Sequence, residues 1–182
     1  MKYPTEWETE FIAKNGMKIR FRPELSSDTE MLWQMFSTLS EDSVSNLIPP
    51  FTRERVEGWT SNIDYDTVLA IVAVIGEESE QKIIGDASIK FNPHEHSKHK
   101  AELGVAVHDD YQNMGIGTAL VKHLLNIAKM KKIRKVWLQV NYNNEIAIHI
   151  YKKAGFQIEG KLCRERYING KYRNEYKMAI LL

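Results

Sequence analysis

The chain has 182 residues, 43% apolar and 27% charged, the make-up of one globular domain with enough aliphatic side chain to fill a core, which excludes disorder and low-complexity architecture. A net charge of +1 gives no global field for nucleic acid, and a single cysteine, Cys163, excludes an intrachain disulfide and a cysteine-rich zinc site. Glu6, Glu8 and Glu10 stand where a signal peptide would be apolar, and the longest apolar stretch, Val68 to Ile75, is too short for a membrane span, so a cytoplasmic single-domain protein is expected.

Met17 to Pro23 alternates apolar and basic residues and reads as a strand closed by Pro23. Ser26 or Ser27 is placed to cap the next segment, with Glu30 completing a capping box from Ser27. Met31, Leu32, Met35, Phe36 and Leu39 then recur at helical spacing. After the Pro49-Pro50 break, Thr52 caps a shorter helix through Trp59. Thr67 to Ile75 is β-branched and apolar, a buried strand, and Lys82 to Phe91 is another, with the polar run Glu77 to Gln81 as the hairpin between them. Ala101 to Val107 is a third strand.

From Met114 to Met130 the period becomes helical, with Leu120, Val121, Leu124, Leu125, Ile127 and Ala128 on one face. Val136 to Val140 is a strand, and Asn144 to Lys153 a helix stopped by Gly155. Phe156 to Ile168 and Tyr172 to Leu182 are two strands joined at Asn169-Gly170. The order β-α-α-β-β-β-α-β-α-β-β gives an α/β fold on a mixed sheet. Charge is divided along it: residues 1–91 carry −7 and residues 92–182 carry +8, a split that either presents opposite fields to two partners or is noise on a solvated surface.

The most informative stretch runs from Val105 through Gly115-Ile116-Gly117-Thr118. A strand ends, a polar turn follows, and two glycines open a helix. Glycine lets the backbone approach a ligand closely, and the free N–H groups of a helix N-terminus seat a phosphate. A Walker loop would need Lys-Ser/Thr after Gly117, where Thr118 and Ala119 stand. A dinucleotide fingerprint would need glycine in place of Leu120 and an acid about 20 residues on, near Arg134 and Lys135. Both nucleotide readings fail, which leaves another phosphate ligand or a plain tight turn.

Gln112-x-x-Gly115-x-Gly117 after a strand resembles the pyrophosphate loop of the GNAT family of N-acetyltransferases. Asn144-x-x-Ala147-x-x-x-Tyr151-x-Lys153-x-Gly155-Phe156 resembles that family's second motif, position by position. The resemblance covers residues 17–182 as one domain, with residues 1–16 as an N-terminal extension. It implies the GNAT fold, a mixed central β-sheet flanked by helices, and acetyl-CoA as co-substrate without a metal. It further implies that Val105 and Val107, with Ala106 between them, bond the pantetheine arm together with Asn144. The backbone of Gln112, Asn113, Gly115, Ile116, Gly117 and Thr118 would hold the pyrophosphate, with Tyr151 and Lys153 also at the coenzyme. Many relatives carry a basic residue within the loop where this chain has Gln112, Asn113 and Met114, so side-chain charge must come from elsewhere, with Lys122, Lys153 or the Lys131-Lys132 pair as the candidates to approach the adenosine phosphates.

Acetyl transfer needs a neutral amine, and a lysine-like amine with a pKa near 10.4 requires a base at neutral pH. Glu102 shares its strand face with Gly104 and Ala106, small residues that leave room for an acceptor. The resemblance implies the general base at Glu102, acting directly or through a water, and the proton donor to the leaving thiolate at Tyr151. His94-Glu95-His96 with His99 reads as a solvated loop rather than a metal site. Cys163 reads as a packed strand residue.

Arg20-Phe-Arg-Pro, Phe36 to Ser43, Phe51 to Arg55 and Ile63 to Asp66 resemble the acetyltransferase domain of Pat-type protein lysine acetyltransferases. Residues 41–80 carry nine acidic groups against two basic, an entrance suited to a cationic amine. Lysine on a protein is therefore the expected acceptor of a monomer or homodimer, with no nucleic acid or membrane partner. A polyamine or an N-terminal amine is the alternative, since Tyr167 to Tyr176 also resembles the terminal hairpin of those enzymes. A non-catalytic acetyl-CoA sensor is the third reading, against which Glu102 and Tyr151 argue.

Overall fold

The computed structural model describes residues 3–77 and 80–182. Residues 1 and 2 of the acidic start, and residues 78 and 79 of the expected Glu77–Gln81 hairpin, lie outside the described residues. The strands are β1 (Thr9–Ile12), β2 (Lys18–Pro23), β3 (Val68–Ile75), β4 (Lys82–Phe91), β5 (Lys100–Val107), β6 (Lys135–Asn141), β7 (Gln157–Ile168) and β8 (Lys171–Leu181). The helices are α1 (Thr29–Ser37), α2 (Glu41–Asn46), α3 (Arg53–Ser61), α4 (Ile116–Met130) and α5 (Glu145–Lys153). All strands join one mixed sheet in the order β1-β2-β3-β4-β5-β6-β8-β7. This is the architecture of the GNAT fold.

The sheet is antiparallel except where β5 meets β6. That parallel pair is short, running from Lys100↔Lys135 to Glu102↔Trp137. Beyond Glu102 the two strands part although each continues, and the sheet opens into a wedge. α4 and α5 pack over the face that carries Leu103, Leu138 and Val140, where Leu120, Val121, Leu124, Leu125, Ile127 and Ala128 are all buried. α1 and α3 cover the other face, around Val72, Val74, Ile83 and Ala106. Register places Glu102, Gly104 and Ala106 on this second face, beside Trp137, Gln139 and Asn141.

Three local expectations change. The Ser27–Glu30 capping box does not form, because the Asp28 carboxylate takes the Leu25 amide at 2.8 Å and the buried Arg22 guanidinium in a bidentate pair at 2.6 and 2.7 Å. Glu30 instead pairs with Arg53 of α3. Cys163 is exposed rather than packed, since β7 is the outermost strand. Residues 9–12 of the expected extension form the opposite edge, paired with β2. α2 is an element the sequence did not announce: Glu-Asp-Ser-Val-Ser-Asn has no apolar period.

The Arg22–Asp28 pair yields a stability prediction. Asp28→Ala would leave a buried guanidinium without its carboxylate, a loss of about 3–5 kcal/mol. Thermal melting should show the midpoint lowered by roughly 10 °C. A midpoint equal to wild type would mean that water reaches Arg22.

Candidate active site

The wedge between β5 and β6 opens into a cavity of about 850 Å³, within the range of small-ligand sites. Its walls come from the end of β5, the turn before α4, the first turn of α4, Gln139 and Val140 of β6, one face of α5, and α2. Val105, Ala106, Val107, Gln112, Asn113, Gly115, Ile116, Gly117, Thr118, Asn144, Tyr151 and Lys153 all line it. Val105 of β5 and Asn144 at the start of α5, 39 positions apart in sequence, both line it because the strands separate.

The backbone of β5 supplies one set of bonding groups. The His108 amide donates to Ile84 of β4, so strand alternation turns the N–H and C=O groups of Val105 and Val107 toward the gap that β6 has left. The Val107 carbonyl already accepts from Gln112 Nε2 at 3.1 Å. The turn supplies the second set. Asn113 and Gly115 adopt left-handed backbone, with φ of 62° and 88°, and curl the chain into α4. Gly115 is the N-cap of α4, and among the described residues no side chain caps this end. The amides of the first helical turn, Ile116, Gly117 and Thr118, therefore present their donors and the positive end of the helix dipole to the cavity.

Of the cations expected near the phosphates, the structure brings Lys153 to this cavity and Lys122 to an adjoining one beside Thr118. Lys131 and Lys132 lie past the opposite end of α4, about 20 Å away along its axis. Lys131 is also committed elsewhere, donating to the Tyr65 carbonyl at 3.1 Å and lying over Trp7 and Phe91. A further cation, Lys14, comes to the turn from the β1–β2 connection. Its amide donates to Met114 at 3.2 Å, and its side chain lines both cavities. Nothing in the sequence pattern tied residue 14 to residue 114; the β1–β2 connection does.

Asn144 caps α5, its Oδ1 accepting from the Ala147 amide at 3.0 Å, and it lines the cavity. Tyr151 is the buried residue of α5, packed on Phe156, and burial pushes its hydroxyl well above the usual tyrosine range. The hydroxyl therefore keeps its proton near neutral pH. Glu102 is placed differently from the rest: it lies outside the cavity lining, at the vertex where β5 and β6 part, paired across strands with Lys90 and Trp137. Further along the same face a buried carboxylate, Glu175, is raised by desolvation and steadied by Arg166 at 3.5 Å. The histidines at 94, 96 and 99 are exposed, and Glu95 pairs with Lys98. Among the described residues no group of His, Cys, Asp or Glu is arranged to hold a metal ion, and no helix is long and apolar enough to cross a membrane.

A split mixed sheet with a helix N-terminus that carries no side-chain cap at the edge of its cleft defines the class of this α/β protein. Residues 32–156 match the acetyltransferase (GNAT) family, and the chain belongs to that family. It is 38% identical over 86 residues to a spermidine N(1)-acetyltransferase of Escherichia coli, an alignment spanning 47% of this chain and 46% of that one. It is 36% identical over 65 residues to a ribosomal protein alanine N-acetyltransferase of the same species, spanning 36% and 43%. The chain thus spans about half the length of the curated relatives it matches. The GNAT domain of S. lividans PAT superposes over 100% of both chains with a TM-score of 0.80 at 22% identity, a likeness of fold.

Proposed function

We propose that the protein is an N-acetyltransferase that moves the acetyl group of acetyl-CoA to a primary amine by direct attack in a ternary complex, without a metal. The observation that carries this reading is that one cavity is lined by the uncapped N-terminus of α4, the end of β5 and Tyr151. The pyrophosphate suits the amides of residues 115–118, with Lys14 and Lys153 as the nearest cations. The pantetheine amides suit Val105, Val107 and Asn144. The amine nitrogen bonds to the thioester carbonyl carbon as the C–S bond breaks; Tyr151 donates a proton to the leaving sulfur, and the proton of the amine goes to Glu102 through a bridging water.

The acceptor we propose is the ε-amine of lysine on a protein. Asp42, Asp109 and Glu145 in the cavity lining favour a cationic amine. A polyamine is the second reading, favoured by the 38% identity to a spermidine N(1)-acetyltransferase. Free-thiol release from acetyl-CoA, measured with spermidine, lysine-bearing peptides and peptides with a free N-terminus, separates them. Release with lysine peptides supports the first reading, and release with spermidine alone replaces it by the second. Coenzyme binding without release to any amine would make the protein a sensor.

Gly117 gives a sharper test of the coenzyme seat. A Cβ there would meet Val107 Cγ2 at 3.6 Å, an ordinary contact, so Gly117→Ala should bind coenzyme A nearly as wild type does. Gly117→Leu should fill the space between α4 and β5 and weaken binding about tenfold or more by calorimetry. Equal affinity for both variants would place the coenzyme elsewhere.

A further inference from the structure

No residue of α2 is buried, and six residues are too few for a helix to persist alone. Hydrogen bonds at its two ends hold it. At the first end the Asp109 carboxylate accepts from the Ser40 amide at 2.8 Å, Ser40 Oγ at 2.7 Å and Ser43 Oγ at 2.6 Å. Burial opposes the charge on Asp109, but the bonds from Ser43 and Ser40 outweigh it and hold the carboxyl below its usual range. Gln112 Nε2 adds a bond to Ser43 Oγ at 3.2 Å while also holding the Val107 carbonyl, and His108 Nε2 meets Thr38 Oγ1 at 3.1 Å. At the other end the Arg166 guanidinium of β7 donates to the carbonyls of Leu47 and Ser45.

Asp109 and Gln112 belong to the segment that leads into the glycine turn. Ser40, Asp42, Ser43, Asn46 and Leu47 face the cavity from α2 and its flanks. One set of contacts therefore joins the seat of the coenzyme to a wall on the far side of the cavity.

We infer that Asp109 is a positioning residue that couples the two, so that coenzyme at the turn orders α2 and completes the wall met by the acceptor. The inference rests on the acetyl-CoA reading of the cavity. Fixing residues 109–115 around a pyrophosphate fixes the carboxylate on which Ser40 and Ser43 hang, and the stabilisation passes to a helix with little packing of its own. By linkage, an ordered α2 must return the same factor to coenzyme affinity. Arg166 holds the opposite end of α2 from β7 and has no such connection to the turn.

Amide hydrogen exchange across residues 41–47, with and without saturating coenzyme A, reads the coupling without needing the acceptor. In the wild type, coenzyme A should slow exchange of these amides by about 5- to 150-fold. Asp109→Ala should exchange faster in both states and lose that increment, and the Ser40→Ala/Ser43→Ala double variant should lose it with Asp109 in place. Arg166→Gln should exchange faster in both states yet keep the increment, which a general loosening of the fold would not allow. Binding of coenzyme A seen by calorimetry without slower exchange in wild type overturns the coupling alone. No binding by wild type overturns the acetyl-CoA reading of the cavity itself. An increment retained in Asp109→Ala overturns the role given to Asp109.

Discussion

Tyr151→Phe is expected to lower the turnover rate by about 10²–10⁴-fold, the usual worth of a positioned acid. Coenzyme A affinity should stay essentially unchanged, because the ring and its packing on Phe156 remain. Coenzyme thiolate is a poor leaving group unless a proton or hydrogen bond meets it as the C–S bond breaks. Burial alone drives the ionisation of this hydroxyl upward, so the group is protonated when the sulfur departs and can meet it with a hydrogen bond. The pH profile of the wild-type rate should accordingly show no alkaline loss from this group below about pH 10. A phenylalanine variant with wild-type turnover would remove Tyr151 from the chemistry.

The second large effect belongs to Glu102. Glu102→Gln should lower kcat/KM by about 10²–10⁴-fold, with the loss greatest near neutral pH, where the amine is protonated and needs a base. Its place at the vertex of the wedge, outside the cavity lining, sets a further expectation. A carboxylate that works through water tolerates a change in reach better than one in contact, so Glu102→Asp should retain much of the activity that Gln loses. Raising the pH should narrow the gap between Glu102→Gln and wild type, as free amine becomes available without a base. Full activity of Glu102→Gln at neutral pH would send the search to another carboxylate on the same sheet face, with Glu175 the first to test.

Most of the sheet was legible from local pattern. Val68 to Ile75 is apolar throughout because β3 is an interior strand covered on both faces, by α4 on one and α1 and α3 on the other. The stripe from Leu120 to Ala128 needed only the helical period to find its buried face. Thr52 capped its helix as expected, its hydroxyl accepting from the Arg55 amide. Asn169-Gly170 turned the last hairpin, both residues at positive φ. The failures share one cause. Ser27 and Glu30 had the right spacing for a box, but Arg22, six residues before Asp28, took that carboxylate into the core first. α2 has no period to read because its helix is held from outside by Asp109 and Arg166.

The glycine turn, the helix it opens and the Asn144-to-Phe156 motif were fixed within the sequence, since each depends on residues a few positions apart: left-handed backbone at Gly115, a cap at Asn144, one face of α5. These determined the family and the coenzyme reading. The tertiary structure alone decided what else stands in and around the cavity. Lys14 reaches the turn through an edge strand, α2 closes the wall through bonds from residues 60 and more positions away, and Glu102 stands at the vertex rather than in the lining. Those choices are set by where β5 and β6 part and by which long-range partner claims each polar group. Both are properties of the packed sheet, and neither leaves a mark on local spacing.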